Sequence, residues 1–247
     1  YDEWRDLQEK PFLVVTENKF CLDEDSSNPH VSNLELTMGD KLMLVDSKDP
    51  GVTKDGRIPY DTYEVYIPVR GFCGKIEFEK AFIPAYHSVS EGYLPYTREH
   101  VIELAFASHG ERYGWGGMFN ARDCSQYIME LYRCFGLQFA RNTGGQMAMQ
   151  CKTLYIDGLS DAAKKEIISA IPAGSCLYFP GHAMIYLGEV DGNLYVISAV
   201  GTMNPDGTHD GEVKSIHTVS INDLSVRRRN GKTWLESLTV IKVIENE

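Results

Sequence analysis

No run of about 18 apolar residues occurs along the chain, so no segment of it is expected to cross a bilayer as a helix. A basic excess is also missing. The formal net charge is −11, which argues against a surface built to gather phosphates, because nucleic-acid affinity comes largely from Lys and Arg neutralisation and counterion release. The one dense basic run, Arg227-Arg228-Arg229 before Asn230-Gly231, reads as a solvated turn or, less simply, as a carboxylate-binding patch. No two cysteines form CxxC and none lies beside histidines at zinc-ligand spacing, so neither a structural metal nor a zinc enzyme is expected. Internal repeats and low-complexity tracts are lacking, which excludes solenoids and disordered arrays. The chain starts at Tyr1 without an initiator methionine or a charged-then-apolar leader, so the expectation is a processed or trimmed product.

What is present is the composition of a compact protein of one or two domains: 247 residues, 43% hydrophobic and 24% charged. Six cysteines (Cys21, Cys73, Cys124, Cys134, Cys151, Cys176) are spaced too widely to suggest a disulfide framework. Five of them are expected to be small core residues. Cys124 stands apart because of its neighbours.

From Phe12 to about Ile83 the pattern is one of short β-like runs: Phe12 to Thr16, Lys41 to Val45 and Tyr63 to Val69, broken at Asp49-Pro50-Gly51 and Asp55-Gly56. This predicts a small all-β barrel over residues 1–95. After Tyr93-Leu-Pro-Tyr, Thr97 is placed to cap a helix through Val101, Leu104, Ala105 and Ser108 that stops near Gly110. A second helix is predicted from Asp123 or Cys124, since Ile128, Leu131, Tyr132 and Phe135 follow helical spacing and Gly136 supplies a stop. Beyond Pro172 come strands, Ser175 to Phe179, Ala183 to Leu187 and Leu194 to Ser198, with a turn at Asp191-Gly192, then Val213 to Val219 and Leu238 to Val243. Residues 96–247 therefore read as an α+β domain in which a helix bearing a cysteine precedes a mostly antiparallel sheet bearing a histidine.

A thiol attacks a carbonyl as thiolate, and a helix N-terminus and a nearby imidazole both favour that form. Cys124 has the first by prediction. His182, opening a strand after Pro180-Gly181, is the best of seven histidines for the second. His30, His87, His100, His109, His209 and His217 are expected at the surface. Spacing alone leaves Cys124 more often a packed core residue than a nucleophile.

The wording around both residues carries more. Arg112-Tyr-Gly-Trp-Gly-Gly117, Arg122-Asp-Cys-Ser125, Phe135-Gly-Leu, Arg141-Asn-Thr with Gln146, and Gly181-His-Ala-Met-Ile-Tyr-Leu-Gly188 together closely resemble the papain-like NlpC family of bacterial cell-wall cysteine peptidases. The resemblance covers roughly Tyr96 to Gly201. The first part is similar, more weakly, to the bacterial SH3-like barrels that often precede such domains. The resemblance implies Cys124 as nucleophile, His182 as base, Tyr113 as an oxyanion donor and Ser198 as the third polar residue orienting the histidine. It implies Asp123 and Ser125 as the grip on the free α-amine of an L-Ala-γ-D-Glu-diamino-acid peptide, with Trp115 as a pocket wall. Tyr60, and with it Tyr63, is a candidate for a barrel residue reaching the site. Cofactors are none: neither metal nor nucleotide is implied. The partners implied are murein peptides, and oligomeric state is left open.

Three positions depart from the family pattern. Gln126 stands where Gly is usual, Ala140 where Pro is usual, and Ser198 where His, Asn or Gln is usual. For Ser198 to share a sheet face with His182, the hairpin between them needs an odd-length loop or a bulge, because strand side chains alternate. The function expected is hydrolysis of the γ-D-glutamyl-diamino-acid bond with preference for a free N-terminal L-Ala. Its rivals are an amidase or acyltransferase on the same Cys-His pair, and a decayed murein-binding protein. The missing methionine leans toward the cell envelope or secretion, and the unpaired cysteines toward cytoplasmic murein recycling.

Overall fold

The structure, a computed structural model, describes residues 2–45, 61–204 and 212–245. The predicted turns at Asp49-Pro50-Gly51 and Asp55-Gly56, and the candidates Tyr60 and His209, lie outside the described residues. Two compact units are formed, Tyr1–Leu94 with Arg133–Gly136, and Pro95–Tyr132 with Leu137–Glu247.

The first unit opens on a helix that sequence pattern did not signal, α1 (Asp2–Gln8), followed by β1 (Phe12–Val15), β2 (Lys19–Cys21), β3 (Glu35–Thr37), β4 (Lys41–Leu44), β5 (Thr62–Arg70), β6 (Ile76–Pro84) and β7 (Val89–Glu91). Five of these form an antiparallel sheet in the order β6-β5-β4-β1-β7, with β2 and β3 as a separate hairpin. Alternation sends Leu13, Val15, Leu42, Val65, Ile67, Ala81 and Ile83 into one core with Phe20 and Leu36. Closing a barrel requires a ladder between the end strands. Among the described residues β7, three residues long, pairs with β1 alone, so the sheet is open where a barrel was expected. His87, expected at the surface, is instead stacked on Phe20 with ring centres 3.8 Å apart, and its Nδ1 lies 3.0 Å from Glu17 Oε2.

The second unit contains α2 (Arg98–Ala107), α3 (Cys124–Arg133), α4 (Thr143–Met147), β8 (Lys152–Tyr155), α5 (Asp161–Ala170), β9 (Cys176–Phe179), β10 (His182–Val190), β11 (Asn193–Met203), β12 (Lys214–Asp223), α6 (Trp234–Ser237) and β13 (Val240–Val243). Thr97 caps α2 by accepting the His100 N–H at 3.2 Å. Asp123 does the same for α3, accepting the Gln126 N–H at 2.9 Å. The six strands form one antiparallel sheet in the order β12-β11-β10-β9-β13-β8. Period-two alternation gives it two buried faces. Leu177, Phe179, Met184, Tyr186, Val196 and Ile241 pack with Ile168 of α5 and Trp234 of α6. On the other face, Cys176 hydrogen-bonds Tyr132 of α3, so the cysteine-bearing helix covers that side.

The expectation of five core cysteines is corrected. Cys134 and Cys176 are buried like Cys124, but Cys21, Cys73 and Cys151 are exposed, and all six are free thiols. Cys73 sits in a tight turn at φ 59°, outside any packed element.

Candidate active site

The loop that enters α3 sets the site. Gly114 must be glycine, because a Cβ there would come within 2.0 Å of the Met118 carbonyl oxygen. Gly116 and Gly117 follow in the left-handed region at φ 64° and 89°, where side chains are disfavoured. This turn lets the Gly116 N–H reach back to Asp123 Oδ2 at 3.1 Å. Tyr113 is tied down by its N–H to the His217 carbonyl at 2.9 Å, at the edge of β12.

Cys124 is the first residue of α3 and is 7% exposed. Burial pushes its thiol above the ordinary value, while the backbone N–H of Ala183, the Thr143 hydroxyl and the Ser125 N–H bond the sulfur and pull the other way. The sulfur lies 3.9 Å from Thr143 Oγ1. It therefore sits against the backbone of the residue that follows His182. That access exists because β10 pairs with β11 only from Ile185 onward, so the start of β10 is open on that side. Burial raises the Tyr113 phenol above its ordinary value, and the nearby Cys124 and Asp123 add to that, leaving it a protonated donor at neutral pH.

His182 begins β10, with its ring against Phe179 (5.2 Å between centres) and Trp234 (5.0 Å). Burial, with the nearby Arg228, drives its pKa down to about 3. Its Nε2 lies 3.0 Å from the Oγ of fully buried Ser198. The hairpin supplies the bulge this requires. Its loop is the two-residue turn Asp191-Gly192, both at positive φ, but the register jumps between Tyr186 and Gly188. The extra residue, Leu187, shifts Ser198 opposite Met184 and hence onto the face of His182.

Asp123 accepts five hydrogen bonds: Gly116 N–H at 3.1 Å, Gln126 N–H at 2.9 Å, Ser125 hydroxyl at 3.0 Å, and the Arg141 fork at 3.0 and 2.9 Å. Burial opposes its charge, but these partners, Arg141 foremost, hold the carboxyl below the usual range. Ser125 Oγ is 3.0 Å from both Asp123 Oδ1 and the Arg141 carbonyl oxygen. Both residues expected to grip an amine are thus engaged within the protein. Trp115, expected as a wall, is 74% exposed on the loop before α3. Tyr60 lies outside the described residues, and Tyr63 packs against the core of the first unit.

Several residues around the site were not singled out by role. Arg141 extends past Asp123 to Gln126 Oε1 at 2.9 Å, and Gln126 Nε2 donates to Glu130 Oε1 at 2.7 Å. Glu130 and Glu111 both pair with Arg122, which is 1% exposed and also donates to Ser108 Oγ at 3.2 Å. The Gln126 departure from glycine thus joins the Asp123–Arg141 pair to a buried Glu-Arg-Glu triad. Gln146 Nε2 donates to the carbonyls of Ser125 and Ala140 at 2.8 and 2.9 Å, locking α3 to the segment that carries Thr143. Arg122, Arg141 and Gln146 lie within the family-like sequence stretches, which was the available signal, but partner identity was not in it.

Residues 110–243, more than half of the chain, match the NlpC/P60 family. The chain belongs to that family. Two solved structures are similar to this NlpC/P60 chain in fold. One is described as a novel NlpC/P60 endopeptidase from Photobacterium damselae subsp. piscicida, with 14% identity, a TM-score of 0.74, and 98% of this chain and 55% of that chain covered. The other is an NlpC/P60 family protein from Bacillus cereus ATCC 10987, with 15% identity, a TM-score of 0.60, and 98% and 66% covered. The NlpC/P60 chain therefore spans 55% and 66% of the lengths of these two. No curated protein matches it. Among the described residues, no cluster of metal-ligating side chains occurs, and no helix is long and apolar enough to cross a membrane.

Proposed function

We propose that the chain is a cysteine peptidase acting on bacterial cell-wall peptides, with Cys124 as nucleophile and His182 as base. The observation that carries this is Cys124 at a helix N-terminus, its sulfur taking the N–H of Ala183, the residue that follows His182, whose own Nε2 lies 3.0 Å from Ser198. With Nε2–H donating to the serine, Nδ1 keeps the lone pair that takes the thiol proton. The thiolate then forms an S–C bond to the scissile carbonyl, whose π electrons pass to oxygen. The Tyr113 hydroxyl stabilises that oxyanion. Collapse breaks the C–N bond, the imidazolium protonates the leaving amine, and water hydrolyses the thioester by the reverse proton route.

The bond we assign is γ-D-glutamyl to diamino acid in murein stems, with a free N-terminal L-Ala preferred through Asp123. Since Asp123 already has five donors, an incoming ammonium replaces one of them. Arg141, with its side chain 43% exposed, is the partner able to swing away. Discrimination against an acylated amine is then smaller than for an unpaired carboxylate, about tenfold. The open sheet of the first unit is assigned as an SH3-like module, and the cell envelope as the compartment. Two of the departures from the family pattern have partners, Ser198 on the imidazole and Gln126 between Arg141 and Glu130, which favours a working site over a decayed one.

The test is incubation with a defined muropeptide set and product analysis by mass spectrometry. Release of L-Ala-γ-D-Glu from the free tripeptide, faster than from its N-acetylated form, is expected. Intact stems throughout would remove the peptidase reading, and equal rates would remove the amine subsite alone.

A further inference from the structure

Arg228 belongs to the basic run whose role the sequence left open. Its backbone is fixed in a tight turn, with its N–H on the Lys232 carbonyl at 2.8 Å and its carbonyl accepting from Gly231 at 2.9 Å. Its guanidinium carbon stands 4.4 Å from the centre of the Phe179 ring, and one nitrogen donates to the Pro180 carbonyl at 3.3 Å. A further neighbour of that Phe179 ring is His182, at 5.2 Å. The cation and the imidazole therefore share one aromatic neighbour, on the turn that delivers His182. Arg227 beside it has a carboxylate, Glu236 Oε2, at 4.0 Å. Among the described residues no carboxylate pairs with Arg228. A planar five-donor fork with a single carbonyl partner retains most of its capacity for a carboxylate, which it matches bidentately.

The chemistry says which carboxylate. The imidazole that protonates the leaving amine must face the leaving-group side of the scissile bond. A cation packed on the same aromatic neighbour is placed toward that side. Resting on the peptidase reading above, we propose that Arg228 is a specificity-determining residue that binds a free carboxylate on the leaving residue of the peptide. The enzyme is thereby directed to stems whose diamino acid carries an unblocked carboxylate near the cut.

The experiment compares kcat/KM for L-Ala-γ-D-Glu-diaminopimelate and for the same peptide with both diaminopimelate carboxyls converted to carboxamides. Wild type, Arg228→Gln and Arg228→Lys are assayed at pH 8, where His182 is neutral with or without the neighbouring cation. The wild type is expected to prefer the free acid by about tenfold to a hundredfold, the range for a charge-assisted contact in a partly exposed site. Arg228→Gln is expected to bring the acid-to-amide ratio of kcat/KM to about one, chiefly by raising KM for the acid, and Arg228→Lys to restore part of the preference. A loss shared equally by both substrates would mean that Arg228 merely braces the Pro180 turn, and would overturn the proposal. So would a wild-type preference that persists in Arg228→Gln, or no preference at all. If the wild type cuts neither peptide, the peptidase reading falls, and the carboxylate anchor with it.

Discussion

In the tautomer proposed above, replacing Ser198 by alanine removes one oxygen from a site with no solvent exposure and leaves the His182 Nε2–H, whose nitrogen lies 3.0 Å away, without its acceptor. A buried donor stripped of its partner costs about 1–3 kcal/mol. If that bond also selects the tautomer that presents the Nδ1 lone pair, the same energy appears in the barrier, a loss of roughly fivefold to 150-fold in kcat. KM should be unchanged, because the hydroxyl faces the imidazole and not the peptide. The contact is neutral to neutral, so it cannot approach the roughly 10⁴-fold effect of losing a carboxylate in a serine-protease triad. The assay is steady-state cleavage of L-Ala-γ-D-Glu-diaminopimelate by wild type, Ser198→Ala, His182→Ala and the double variant. In the His182→Ala background Ser198→Ala should have no further effect, since the serine acts only through the histidine. A Ser198→Ala rate within about twofold of wild type would refute the orienting role.

Cys124→Ala and His182→Ala should each abolish hydrolysis with the fold intact and without additive effects; substantial turnover by Cys124→Ala would end the cysteine-peptidase proposal. Arg122→Met removes the guanidinium counter-charge from Glu111 and Glu130 around a nearly inaccessible position. Breaking a buried pair in this way costs about 3–5 kcal/mol, which for a unit of this size lowers Tm by roughly 10 °C; an unchanged melting curve would contradict it. Burial depresses His182 from an ordinary 6.5 to about 3, so its folded form binds fewer protons than the unfolded chain. The stability this contributes is complete above pH 6.5 and is lost as pH falls toward 3, on the order of 5 kcal/mol in all. Unfolding free energies measured from pH 7 to 4 should therefore fall more steeply for wild type than for His182→Gln, and parallel curves would count against a neutral, desolvated imidazole.

Local rules accounted for much of this chain. Thr97 and Asp123 cap their helices because a side-chain oxygen before a helical run meets the free N–H groups of its first turn. The strands from Cys176 to Val243 follow from alternation and the Asp191-Gly192 turn. The amphipathic pattern after Cys124 placed that residue at a helix N-terminus, and the NlpC-like wording paired it with His182. Short or weakly patterned elements escaped: α1, α4, β8 and α5, the last with its buried Lys164 capping the Leu235, Glu236 and Leu238 carbonyls. What no local rule could decide was partnership. Ser198 reaches His182 only because one extra residue at Leu187 breaks the register, and a bulge leaves no fixed mark in composition. Asp123 meets Arg141 across 18 residues, and Arg122 meets Glu111 and Glu130 across 11 and 8. The approach of Arg228 to the His182 turn spans 48 residues. Residue types and helix starts are properties of a few neighbouring positions, whereas which charge a carboxylate faces depends on where separate elements come to rest. The sequence alone therefore determined the chemistry available, and the tertiary structure decided which groups are already bound to one another and which are left for a substrate.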